Sequence, residues 1–88
     1  MVARVQPSRV ADRRCFFVRV DFHATLVEVA DLQRLRIGPC DAILTLAAFE
    51  MFETWPYASH DSSYHIQHEH GTCQSSRTMH IAPVRDEG

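Results

Sequence analysis

Apolar and polar positions alternate in one stretch of the chain and recur at helical spacing in another. In RCFFVRVDFH, residues 14–23, Phe16, Val18, Val20 and Phe22 fall on one side, while Phe17, Arg19, Asp21 and His23 fall on the other. Period two with β-branched and aromatic residues predicts a half-buried strand. The longest apolar run is PCDAILTLAAFEMFETWPY, residues 39–57. At 100° per residue its Leu44, Ala47, Ala48, Met51, Phe52 and Trp55 gather on one face, which predicts a core helix over about 41–54. Asp41 is placed to cap its start, and Pro56 to stop it. Leu46 and Phe49 lie on the opposite side among Thr45, Glu50, Glu53 and Thr54, where the core does not need them. A second apolar strip of this kind predicts a partner surface.

The remaining segments carry weaker patterns. Residues 1–12 alternate only at Val2, Val5 and Val10 and contain Pro7, so they read as a basic flexible arm or an edge segment. Residues 24–38 support two readings. Thr25 and Glu28 fit a capping box, and Gly38-Pro39 fits a helix stop. The β-branched run from Thr25 to Val29 also fits a strand pairing with residues 14–23. The favoured reading is a strand to about residue 30 with a helical turn after Asp31. Beyond residue 58 the chain is rich in Ser and His with few large aliphatics, and reads as an irregular tail with a short strand near 78–81. The domain plan is thus an arm (1–12), a small core (13–57) and a polar tail (58–88). The fold class is α+β: a small antiparallel sheet from residues 14–37 packed by one main helix. With so little apolar area in the tail, the sheet and helix are expected to survive its removal.

Charge is uneven along the 88 residues. Residues 1–36 hold seven Arg against four acids, whereas residues 37–88 hold two Arg against seven acids. Arg4, Arg9, Arg13 and Arg14 stand near Phe16 and Phe17, a composition that can bind single-stranded nucleic acid by charge and stacking; a solvated arm leading into a core strand is the simpler reading. There is no Lys and no Asn, which excludes Schiff-base lysine chemistry, a phosphate-loop lysine and a catalytic Asn within these residues. Cys15, Cys40 and Cys73 are too few, and odd in number, for a disulfide framework; reduced thiols in a cytoplasmic protein are expected. The first residues lack the apolar segment of a secretory signal. The apolar run at 39–57 is too short and too interrupted by Glu50 and Glu53 to cross a membrane.

Five of the six histidines lie between His60 and His80. His65-x2-His68-x-His70-x2-Cys73 brings three imidazoles and a thiolate into nine residues, the donor types that hold zinc and related ions. Gly71 would let the chain fold around such an ion. The spacing matches neither a zinc finger nor a helical His-Glu-x-x-His site.

A core of this size usually needs a metal, disulfides or a partner. The sequence therefore leads to a non-enzymatic interaction module, a homodimer or an accessory subunit of a larger assembly. It contacts a protein partner through helix 41–54 by Leu46, Phe49 and Trp55. The alternative is a metal-binding structural or regulatory protein that holds zinc through His65, His68, His70 and Cys73.

Overall fold

The computed structural model describes residues 1–55 and 61–78. The expected α+β fold of antiparallel sheet and one main helix is present. Five strands, β1 (Val2–Val10), β2 (Arg13–Val20), β3 (His23–Glu28), β4 (Ser63–Glu69) and β5 (Thr72–Thr78), form one sheet in the order β3-β2-β1-β4-β5. Every pairing in it is antiparallel. Helix α1 (Asp41–Glu53) covers one face of this sheet, and a 3-10 helix at Val29–Arg34 leads towards it.

The sheet differs from the one expected over residues 14–37: residues 29–37 contribute no strand to it, and strands from both flanking segments join it. The segment expected as an arm is β1, the middle strand. Its Ala3 and Val5 are buried in the core, facing Val20 and Val18 on β2 and Ile66 and Tyr64 on β4. Pro7 is tolerated in a central strand because β4 pairs with β1 only over Val2 to Val5. Proline's missing donor is compatible with a strand where one side is unpaired. The segment expected as a polar tail contributes the β4–β5 hairpin, and β4 fills the other side of β1. β5 ends at Thr78, and the rest of the short strand expected at 78–81 lies outside the described residues. Residues 24–38 follow the favoured reading closely, with strand to Glu28 and then helical turns.

Two-residue turns join β1 to β2 (Ala11-Asp12), β2 to β3 (Asp21-Phe22) and β4 to β5 (His70-Gly71). Ala11 and Asp12 both have positive φ, 50° and 62°, and so do His70 and Gly71, at 53° and 76°. Two successive left-handed residues give the turn whose twist matches a tight antiparallel hairpin. Gly71 thus serves the hairpin turn.

Leu44, Ala47, Ala48 and Met51 of α1 are buried, as their spacing predicts, against Phe16, Val18, Val5 and Ile66 from the sheet. Leu32, from the 3-10 helix, joins them. Asp41 is the first helical residue, and Cys40 takes the cap position. The Asp41 carboxylate turns back and accepts from the backbone N–H groups of Ile37 (2.6 Å) and Gly38 (2.8 Å). It therefore organises the approach to the helix instead of capping its first turn. At the other end the Thr54 hydroxyl donates to the Glu50 and Met51 carbonyls at 3.1 and 3.2 Å, satisfying groups a helix end leaves open. The helix ends at Glu53; the expected stop residue, Pro56, lies outside the described residues.

Cys40 and Cys73 are disulfide-bonded, with Cα atoms 5.9 Å apart. The expectation of three reduced thiols is corrected: only Cys15, buried in β2, is free. Their separation of 33 residues concealed the pair, because it forms only once β5 is recognised as a strand beside the helix start.

Candidate functional site

The two outward surfaces of this two-layer fold both expose apolar side chains. On α1, Ala42, Leu46 and Phe49 recur at i, i+4 and i+7, so they form one strip along the solvent side. Leu46 is 65% exposed and Phe49 39% exposed. The helix becomes two-sided because its inner face is already complete with the smaller set Leu44, Ala47, Ala48 and Met51. Trp55 does not belong to the strip. It is only 8% exposed and meets Phe16 edge to face, with ring centroids 5.7 Å apart. Arg14 lies over the Phe52 ring at 5.4 Å and near the Trp55 ring at 6.0 Å, closing that end of the core. The expected partner contact at Trp55 is therefore a core contact.

The second surface is the sheet face turned away from α1. Antiparallel register places directly opposed residues on one face, and burial shows which face is covered. Phe17 is opposed to Leu26 and Gln6, and Arg4 is opposed to both Arg19 and His65. Phe17 and Leu26 are 39% and 44% exposed. The four arginines expected as one basic group are divided by the strand period. Arg4 and Arg13 are on this open face, while Arg9 and Arg14 oppose each other on the helix side. Arg19 belongs with Arg4, although strand alternation alone marked it only as a surface residue. Arg13 is ion-paired with Glu28. A shallow depression lies beside this row, lined in part by Val2, His65, Gln67 and Gln74.

The candidate metal ligands are not gathered. His65 and His68 are three apart in β4 and so point to opposite faces. His70 sits in the left-handed turn, where its ring meets Glu69 at 3.3 Å. Cys73 is bonded to Cys40 and offers no thiolate. Among the described residues no group of three His, Cys, Asp or Glu side chains is arranged to hold a metal ion.

Between the two layers, the Tyr64 hydroxyl donates to the Glu50 carboxylate. Burial pushes the Tyr64 phenol above its ordinary pKa of 10.0, and the hydrogen bond to Glu50 adds to the rise. Arg77, over the Tyr64 ring at 5.6 Å, opposes it. Arg77 also donates to the Thr54 hydroxyl at 3.2 Å, so β4, β5 and the end of α1 are joined by one polar cluster.

Among the described residues no helix is long and apolar enough to cross a membrane. No family model, no curated protein and no solved structure matches the chain.

Proposed function

We propose that the chain is a non-enzymatic interaction module that pairs through the outer strip of α1. A second copy of itself is the first partner, in a homodimer or as a subunit of a larger assembly. The observation that supports this reading is the exposure of Leu46 at 65%, one turn from the half-exposed Phe49, on a helix whose other side is already packed. Full burial of an exposed Leu or Phe is worth about 1.5–3 kcal/mol, and Leu46 and Phe49, already partly covered, gain a fraction of that. Anchors at i, i+4 and i+7 are the pattern by which a helix enters a partner's groove. Glu53, four residues after Phe49, continues the strip and gives its end a polar group. Trp55 takes no part in this surface, because it is buried against Phe16.

The compartment proposed is an oxidising one, in place of the cytoplasm expected from the sparse cysteines, because a bond between Cys40 and Cys73 persists where thiols are not kept reduced. The zinc alternative loses its sulfur donor for the same reason. Sedimentation velocity of the wild type beside Leu46→Glu and Phe49→Glu tests the proposal. Both variants should sediment as monomers with unchanged circular dichroism. Indistinguishable profiles for wild type and variants would refute it.

A further inference from the structure

We infer that the open face of the sheet binds single-stranded nucleic acid, with Arg4 and Arg19 taking the phosphodiester backbone and Phe17 stacking against a base. This face lies across the sheet from the α1 strip, and the inference is independent of the pairing proposed there.

The first warrant is an uncompensated charge. Arg4 and Arg19 stand directly opposite each other on neighbouring strands, and His65 opposes Arg4 from the other side. Like charges at directly opposed positions destabilise a sheet. Among the described residues neither guanidinium has a carboxylate within ion-pairing distance. Glu28 is taken by Arg13, Glu69 meets His70, and the Asp21 carboxylate accepts the Val2 N–H at 3.1 Å. Arg19 reaches only a backbone carbonyl, that of Asp21 at 3.2 Å. The Arg4 Nε is buried and has no hydrogen-bond partner. That atom is closed to solvent, so the groups open to an acceptor from outside are the remaining guanidinium N–H groups of Arg4 and Arg19, none of which is among the buried unpaired atoms. Guanidinium groups match phosphate geometry and retain their charge at any ordinary pH.

The second warrant is the neighbouring row. Phe17 lies two residues before Arg19 on the same strand face, about 7 Å along the strand, beside Leu26 and Gln6. An exposed aromatic next to unpaired arginines is the arrangement that holds unstacked bases. An acidic protein would satisfy the arginines but gives no particular use to an aromatic ring beside them. Duplex is disfavoured because this face presents no helix or ribbon that could enter a groove. The acids of α1, Asp41, Glu50 and Glu53, lie on the other layer, and of the acids on this face Glu28 is held by Arg13 and Glu69 meets His70.

Fluorescence anisotropy of a labelled single-stranded oligonucleotide of about a dozen nucleotides tests the inference, using the full, oxidised chain. The wild type should bind with a dissociation constant between about 1 and 100 μM at low salt. Two phosphate contacts predict roughly a sevenfold loss between about 50 and 200 mM salt. Arg19→Glu should lose at least about tenfold, and Arg19→Gln less. Phe17→Ser should weaken binding at least about fivefold without changing the salt slope. Arg34→Glu, away from the face, and Leu46→Glu, on the helix, should bind as wild type does. Thermal melts monitored by circular dichroism show which variants are folded, and Arg19→Gln keeps the test intact if Arg19→Glu is not. The inference is overturned by absence of binding, by duplex binding equally well, or by Arg34→Glu losing as much as Arg19→Glu. Equal competition by polyglutamate at matched charge would also overturn it, and would assign the face to an acidic protein.

Discussion

Cys73, in edge strand β5, is covalently joined to Cys40, the residue that opens α1. β5 has almost no apolar side chain of its own to bury. The bond supplies the tertiary anchor that its side chains lack, and fixes the β4–β5 hairpin against the helix layer.

Closing a loop of this length in the unfolded chain is worth about 3–4 kcal/mol. Cys73→Ala should therefore lower the unfolding free energy by about that amount in chemical denaturation. Thiol titration checks the bond itself. The oxidised protein, unfolded without reductant, should present one reactive thiol, Cys15; three reactive thiols would contradict the pairing.

A chain ending at residue 58 should lose cooperative thermal unfolding. The sequence suggests the opposite, because the segment after residue 58 offers so little apolar area. β4 carries Ile66 and Tyr64 into the core and pairs with the middle strand β1. Its removal leaves β1 with an unpaired edge and exposes Ala3 and Val5. Circular dichroism melts of the truncated chain are the measurement. Within the core, Ile66→Ala and Phe16→Ala should cost about 2–5 kcal/mol each.

Those two outcomes trace to what was legible in the residues. β2 was plain from Phe16, Val18 and Val20, although Phe22, expected on the same face, stands exposed in the β2–β3 turn, and α1 was plain from the spacing of Leu44, Ala47, Ala48 and Met51. β1 was hidden by its chemistry. Its inward residues are the small Ala3 and Val5 followed by Pro7, with Arg4 and Gln6 between them. β4 was hidden because only Tyr64 and Ile66 mark its inner face within a run of His, Gln and Ser. β5 shows no alternation, and its place follows from pairing and from Cys73, both of which are long-range. The Leu46–Phe49 strip was visible as a surplus on the helical wheel. The Arg4–Arg19 row was not, because it requires the register of two strands, one of which read as an arm.

Ala11 holds φ of 50° in the β1–β2 turn. A left-handed conformation costs an ordinary L-residue about 1–2 kcal/mol. Ala11→Gly should stabilise the fold by up to about 1 kcal/mol after glycine's greater unfolded-state entropy is deducted. An upward shift of the melting temperature is the expected result, and a downward shift would contradict the turn geometry.

Tyr64 gives the pH dependence its sign. Its phenol is raised above 10.0 in the folded chain. The folded state therefore favours the protonated form. The stabilisation is fully present below pH 10 and is lost as pH rises through the folded value. Tyrosinate absorbance should show a late ionisation step that vanishes in Tyr64→Phe. An early ionisation of Tyr64 would contradict its hydrogen bond to Glu50.

The most direct test of the account is native mass spectrometry of the full oxidised chain over a range of protein concentrations. A dimer whose population grows with concentration, free of bound metal and absent in Leu46→Glu, is expected. A chain that stays monomeric at the highest soluble concentration would contradict pairing through α1. So would a dimer that persists unchanged in Leu46→Glu, or one that depends on a zinc ion lost with His65→Ala.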